Sequence, residues 1–426
     1  MNILAINPWI VDFAAYDFWL KPYGFLVILT YLAKNKKIKI DYIDCLNEKD
    51  SLGTFGRGKY PHQIIDNPTL FKSVPRYFKR YGIKIGIFEQ FLENKNPDYI
   101  LITSSMTYWY PSIIDIVKIL KAKFPKAPII LGGTYANLCT NHAKRNTGCN
   151  FVFKNTSLKK FFKLLNINFD FKEFYSTLPL YENFYQSLDY VVFRTSWGCP
   201  FSCAFCAIKK LSPPFFRINS KKIIDFILKY CDLGIQNFVL YDDAFLYENF
   251  YAKSILKEIK NRDLNINFHT PNALHIRFLD EELAHLLKSS RFINPHFGLE
   301  TLNPKLQKLW TDKVNREDLL KGIEYLKKGG YRSGEFSVYL LLGYPNQNLK
   351  ELKDDIEFIN SLGARVSLAE FSPTPGTKIF EEFKKSLADP LLHNNSIFGF
   401  FEKEKIKDFW EIKNFTRQLN KKLAVE

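Results

Sequence analysis

Cys199, Cys203 and Cys206 stand within eight residues, spaced Cys-x3-Cys-x2-Cys, in the stretch Arg194-Thr-Ser-Trp-Gly-Cys-Pro-Phe-Ser-Cys-Ala-Phe-Cys-Ala-Ile208. Thiolates this close are soft ligands, and soft ligands select a centre such as an iron–sulfur cluster or zinc. The number of ligands bears on the choice. Structural zinc takes a closed set of four, usually paired cysteines or histidines, and the next histidine along the chain is His269. A ferredoxin-type cluster also takes four cysteines, and the next one, Cys231, falls inside an amphipathic helical pattern. Three ligands on a cubane cluster leave one iron open for a substrate or cofactor. A disulfide or chance spacing is the plainer alternative.

The cysteines follow the apolar run Tyr190-Val-Val-Phe193, which reads as a buried strand. Strand-plus-helix units then repeat at roughly 30-residue spacing, the size of βα repeats. Strands are expected at 190–198, 237–241, 264–269, 293–299, 336–342 and 366–371. Polar punctuation falls at their C-terminal ends: Asp242-Asp243, Thr270-Pro-Asn272, Glu300-Thr301, Gly343-Tyr-Pro345 and Ser372 to Thr377. Six units imply a partial (β/α)6 barrel, whose C-terminal rim is where catalysis sits. Plainer roles compete for these residues. Asp242 and Asp243 would serve as a helix N-cap pair, Glu300 as a solvated carboxylate, Arg277 as a surface cation. His269 and His275 are either substrate-side acids and bases or structurally satisfied.

The first 155 residues alternate strands and helices in another way. Strands are expected at 2–7, 38–44, 99–103, 128–133 and 150–153, with helices at 22–33 and 113–124. The pattern argues a doubly wound parallel sheet, which binds ligands beyond the carboxyl ends of its strands. Those ends carry Asn7-Pro8, Thr103-Ser104-Ser105 and Gly132-Gly133-Thr134, although the glycines would also suit a simple strand-to-helix turn. Residues 46–94 are poorly patterned, with a basic amphipathic stretch at 71–81. Residues 156–188 read as a linker, 189–385 as the barrel and 386–426 as a C-terminal extension.

A net charge of +16 is spread as scattered lysines, which fits a solvated surface better than a nucleic-acid footprint. The 40 phenylalanines point to dense aromatic cores. Seven cysteines do not make a disulfide scaffold, so a reducing, cytoplasmic interior is expected. The N-terminus lacks a signal-peptide pattern, and the longest apolar stretch, Tyr23 to Ala33, is too short to span a bilayer.

The cysteine loop, with Phe205 before its last cysteine, resembles the signature of the radical S-adenosylmethionine (SAM) superfamily. The resemblance extends over residues 190 to 380. It implies a [4Fe-4S] cluster on Cys199, Cys203 and Cys206, whose open iron is chelated by SAM. One electron then cleaves SAM to methionine and a 5′-deoxyadenosyl radical that abstracts hydrogen from a substrate. Tyr-Asp242-Asp243-Ala-Phe is similar to the family's strand-two motif, and Gly298-Leu-Glu300-Thr to the segment whose glutamate binds the ribose. Leu341-Leu-Gly343-Tyr-Pro345 resembles the adenine-contacting strand, and Pro373-Thr-Pro-Gly376-Thr377 the sixth-strand turn. Arg277 matches an often basic position and would pair with the SAM carboxylate. The implied SAM contacts are thus Phe205, Asp243, Arg277, Glu300 and Gly343.

The first domain resembles the cobalamin-binding domain of one branch of that superfamily. Implied cobalamin contacts are Tyr23, Gly24, Ser104, Ser105, Gly132, Gly133 and Thr134. Two departures stand out: the Asp-x-His-x-x-Gly motif is absent, and Lys154-Asn-Thr-Ser157 replaces a Gly-rich acidic turn. The resemblance implies cobalamin-dependent methylation of an unactivated carbon, a second SAM remethylating the cobalamin. The alternatives are a radical SAM isomerase, cyclase or C–C bond-forming enzyme without cobalamin, and a cluster-bearing binding protein without turnover. Implied partners are an organic substrate (peptide, lipid or natural-product scaffold) and a flavodoxin- or ferredoxin-like electron donor.

Overall fold

The computed structural model describes residues 1–310, 313–344, 347–395 and 406–423. The chain divides into two compact units: Met1–Asp189 with Lys210–Pro213 and Phe383–Asn394, and Tyr190–Lys209 with Pro214–Glu382 and Asn395–Glu426.

The first unit is built on five parallel strands: β1 (Asn2–Asn7), β2 (Lys39–Asp44), β3 (Tyr99–Ile102), β4 (Ile129–Leu131) and β5 (Phe151–Val152). Their spatial order is β5-β4-β3-β1-β2. The sequence already distinguishes interior from edge. Interior β1, β3 and β4 are nearly unbroken apolar runs, as strands covered on both faces must be. The edge strand β2, Lys-Ile-Asp-Tyr-Ile-Asp, carries charge instead. Helix α1 (Tyr23–Ala33) follows β1 and has eight buried residues and no charged one. Helix α2 (Tyr110–Lys123) follows β3, with Pro111 in its first turn. Strand order reverses between β1 and β3, the switch point at which doubly wound sheets open a ligand crevice.

Two stretches of this unit depart from the expectation. Ile10–Asp12, His62–Ile65 and Phe78–Tyr81 form a small antiparallel sheet, two of whose strands fall in residues 46–94, read as poorly patterned with an amphipathic stretch at 71–81. Ile10, Leu46, Tyr60 and Tyr81 form its buried cluster. Residues 156–188, read as a linker, fold into the unit through helices Leu158–Leu164 and Phe171–Tyr175. Their aromatics explain why. Phe162 is fully buried and its ring lies 5.1 Å from Tyr31 of α1, 5.2 Å from Phe169 and 5.6 Å from Phe174.

The second unit is a partial (β/α)6 barrel. Its strands are β6 (Val191–Phe193), β7 (Asn237–Leu240), β8 (Asn267–His269), β9 (His296–Glu300), β10 (Ser337–Leu342) and β11 (Arg365–Glu370). They pair as parallel triplets, β6-β7-β8 and β9-β10-β11. Single bridges Phe268–Phe292 and Leu274–Phe297 join the triplets. The helices are α3 (Ser220–Asp232), α4 (Phe250–Asn261), α5 (Glu281–Ser289), α6 (Arg316–Lys328) and α7 (Leu349–Ser361). Four of these five start on an Asn or Asp whose side chain accepts a backbone N–H of the first turn: Asn219, Asp280, Asn315 and Asn348. Each such cap stabilises its helix by about 1 kcal/mol.

The C-terminal stretch does not form one extension. Phe383–Asn394 belongs to the first unit, where Tyr110 donates to Asp389 (3.1 Å) and Asn394 donates to Asp12 (2.8 Å). Helix α8 (Ile406–Lys422) belongs to the second and covers the free edge of β11. Asn420 accepts from the Val366 N–H (2.9 Å) and donates to the Val366 carbonyl (2.8 Å), taking the place of a neighbouring strand. Among the described residues no helix is long and apolar enough to cross a membrane.

Candidate functional site

The cysteine loop leaves the end of β6 and is closed at its base. Ser196 and Trp197 pair antiparallel with Arg217 and Phe216, so the chain between them must bulge as a loop. The two aspartates that end β7 fasten its entry. Asp242, 4% exposed, accepts from the Thr195 N–H (2.7 Å), the Thr195 hydroxyl (2.7 Å) and the Ser196 hydroxyl. Burial pushes its carboxyl up to about 6 against these hydrogen bonds. Asp243 is ion-paired to Arg194 at 2.6 Å. Neither aspartate is the N-cap of α4, a position Asn249 holds. Further along, the Ile379 N–H reaches the Ala204 carbonyl at 3.4 Å, tying the loop to the stretch after β11.

Within this frame Cys199 is buried, Cys203 half-buried and Cys206 exposed, and all three are free thiols. The Cys206 N–H donates to the Cys203 carbonyl (3.0 Å), a turn that brings the last two together in the chain. Burial pushes the Cys199 thiol up to about 11, with Cys203, Asp243 and Cys206 adding to the rise. Among the described residues no three His, Cys, Asp or Glu side chains are already gathered to hold a metal ion. The fit therefore rests on donor chemistry: three soft sulfurs on one fastened loop, with both nearby carboxylates engaged by Arg194, Thr195 and Ser196. That set suits an iron–sulfur cluster with an open iron better than a closed zinc site.

Glu300 ends β9 in the left-handed region, φ +72°, beyond an irregularity in the β9–β10 ladder. A non-glycine residue held there costs of order 1–2 kcal/mol. Burial raises its carboxyl, and Lys313, whose Nζ is 3.6 Å away, opposes the rise. Gly298 makes room for that ammonium, since a Cβ there would come within 2.8 Å of Lys313 Nζ. Lys313 acts electrostatically on Cys206 as well. It is the site residue the sequence reading missed, because nothing in its local pattern marks it. Arg277 is directed to Asp318, 3.5 Å away in the first turn of α6. Phe205 packs edge-on to Trp310 (5.7 Å), which in turn meets Tyr344 (4.8 Å). The Gly343 N–H donates to the Gln347 side chain (2.8 Å), and Pro345 lies outside the described residues. His269 is paired with Asn237 at 3.1 Å.

In the first unit, Ser104 and Gly133 shape the strand ends rather than presenting free groups. The Ser104 hydroxyl donates to the Gly132 carbonyl (2.6 Å), and the Ser104 carbonyl accepts from the Thr134 N–H (2.7 Å). Gly133 has φ +89°, and a Cβ there would lie 2.2 Å from the Ser104 oxygen. A Cβ at Gly24 or Gly132 would meet nothing within 4 Å. Ser105 is exposed, Thr134 half-buried and Tyr23 buried. The open space beside Gly24 and Gly132 leaves room for the approach of a large ligand such as cobalamin. Gly133→Ala is expected to cost about 2–5 kcal/mol, left-handed strain plus a backbone clash. Gly132→Ala is expected to change stability by less than about 0.5 kcal/mol. Urea unfolding of the two variants against the parent checks both.

A family model described as the radical SAM superfamily matches residues 194–359. The fold is shared with the radical SAM methyltransferase TsrM of Kitasatospora setae, solved with cobalamin and a [4Fe-4S] cluster bound. That match has TM-score 0.64 at 14% identity and covers 91% of this chain and 78% of that one. The cobalamin-dependent SAM radical enzyme OxsB, solved with aqua-cobalamin and SAM, gives TM-score 0.56 at 14% identity, over 93% of this chain and 56% of that one. In sequence, an uncharacterised methyltransferase of Pyrococcus horikoshii is 24% identical over 213 residues, 49% of this chain and 45% of that protein. The match thus spans under half of that relative's length.

Proposed function

We propose, from the premise that residues 194–359 are a radical SAM domain, that this chain cleaves SAM reductively and methylates an unactivated carbon using cobalamin held by its first unit. One observation carries the reading: a fastened loop of three free cysteines at the end of β6, in a chain whose fold is that of TsrM over 91% of its length. When bound, the cluster with SAM supplies a 5′-deoxyadenosyl radical, and methylcobalamin supplies the methyl group.

The chain's own residues bind and orient. Cys199, Cys203 and Cys206 would hold the cluster, and Asp242 and Asp243 keep the loop entry in place. Glu300 would accept the SAM ribose hydroxyls, and Lys313 works against the burial that raises both that carboxyl and the Cys206 thiol. Arg277 would steer the SAM carboxylate, Phe205 and Trp310 would pack against the adenosyl group, and Gly343 would contact the adenine. Tyr23, Gly24, Ser105, Gly132 and Thr134 would face cobalamin, with Ser104 and Gly133 fixing the edge on which they sit. A small flavodoxin- or ferredoxin-like protein would supply the electron, and the substrate would be an organic scaffold of the peptide, lipid or natural-product type.

The test is anaerobic reconstitution with iron, sulfide and hydroxocobalamin, then desalting and a visible spectrum. Cobalamin retained at roughly one per chain, followed by methyl label passing from SAM to product, is the expected result. Iron and sulfide retained without cobalamin would move the reading to a radical SAM isomerase, cyclase or C–C bond-forming enzyme. Uptake of neither would overturn it.

A further inference from the structure

His275 follows Leu274, the residue that bridges to β9, and opens the short turn Ile276–Phe278. Its side chain is 3% exposed, yet its Nδ1 has no hydrogen-bond partner. Its ring is stacked on Phe201, with centroids 5.0 Å apart and planes 30° from parallel. Phe201 sits on the cysteine loop itself, between Cys199 and Cys203, and packs also against Phe278 (5.8 Å) and Tyr247 (5.9 Å). An aromatic box therefore presses an imidazole against the loop and gives its Nδ1 nothing to bond.

That arrangement has a cost. A buried polar atom without a partner loses about 1–3 kcal/mol, and native proteins leave few of them. The charges around it say what kind of group would meet it. Burial and then Lys313 and Arg277 work against a charged imidazole. A neutral imidazole with its proton on Nδ1 is a donor on that side. With Lys313 also acting on Cys206, the surroundings are those in which negative charge gathers.

We propose that His275 donates a hydrogen bond from Nδ1 to the anionic centre assembled on the cysteine loop, either a cluster sulfur or the SAM carboxylate. The inference rests on the reading of that loop as a cluster site. Hydrogen bonds to cluster sulfurs raise the reduction potential, whereas one to the carboxylate strengthens SAM binding, so the two sources separate experimentally.

The test uses the full chain, reconstituted anaerobically with iron and sulfide, as wild type, H275F and H275N. Phe keeps the stacking and removes the donor, and the Asn amide restores an N–H near the Nδ1 position. Reduction is followed by electron paramagnetic resonance without SAM, and SAM is then titrated onto the reduced cluster signal. If the acceptor is a cluster sulfur, H275F becomes about tenfold harder to reduce, a fall of about 59 mV for one electron, with SAM affinity unchanged. If it is the carboxylate, SAM affinity falls about tenfold or more at unchanged potential. H275N should recover most of either loss. A cluster-loaded H275F matching wild type in both titrations would leave His275 a packing residue and overturn the inference; His275→Met serves the same comparison if H275F does not load. A wild-type chain that takes up no cluster would strike the reading of the loop instead.

Discussion

Replacing Cys199, Cys203 and Cys206 together by alanine is expected to abolish the reducible cluster absorbance and all SAM cleavage. Each single replacement should do nearly the same, because two thiolates cannot hold a cubane whose fourth iron must stay open. The variants should fold. Cys206 is exposed and Cys203 half-buried, so trimming either sulfur leaves little cavity, and only buried Cys199 sacrifices packing. Loss of the chromophore with an unchanged far-ultraviolet spectrum is therefore the signature to look for. Cys231 is the control. It lies on α3, away from the loop in sequence, and Cys231→Ala should keep both cluster and activity. A triple variant that retained the cluster would remove the central claim, whatever the fold of the chain.

Much of this fold is visible in the sequence because burial on two faces leaves an unmistakable pattern. Ile3 to Ile6, Phe238 to Leu240 and Ser337 to Leu342 are interior parallel strands, and such strands must be apolar runs. Polar residues then mark where each strand ends, which is why the barrel rim could be read strand by strand. The small sheet of Ile10–Asp12, His62–Ile65 and Phe78–Tyr81 escapes that logic. Its strands have three or four residues, and His62 to Gln63 and Ile64 are exposed, so no period has room to develop. Residues 156–188 escape it for a different reason: a Phe- and Lys-rich stretch has the composition of a bridge, and only the packing of Phe162 against Tyr31 makes it part of the unit.

At the site, the cysteines and Glu300 are legible from spacing and strand position, but the groups that act on them are not. Lys313 meets Glu300 across 12 intervening residues, and only the gap at Gly298 hints that something occupies the space. His275 reads locally as an ordinary core histidine. What sets it apart, a partnerless Nδ1 stacked against the loop, depends on where Phe201 lands. Asp242 is similar: the sequence offers a helix cap, whereas the pairing of β6 with β7 turns the carboxylate toward Thr195 and Ser196.

Asp242→Ala is accordingly expected to be among the most damaging single changes outside the cysteines, costing about 3–5 kcal/mol. It strands the Thr195 N–H and two hydroxyls in a region from which water is largely excluded, and it frees the entry to the cysteine loop. Cluster content after reconstitution should fall with it. Asp242→Asn separates charge from shape. The amide keeps the volume and can donate to the rotatable hydroxyls while its oxygen accepts the Thr195 N–H. The sign of its pH dependence follows from the raised carboxyl. Folding favours the protonated acid, so the contribution of Asp242 is full below about pH 4 and is lost as pH rises through about 6. Asn has no proton to lose there, so D242N should gain on the parent by up to about 3 kcal/mol between pH 4 and pH 7. Urea midpoints of the two chains across that range measure the gain. Parallel curves would mean that the three hydrogen bonds already hold the carboxylate charged in the folded chain, and that Asp242 fastens the loop as an anion throughout.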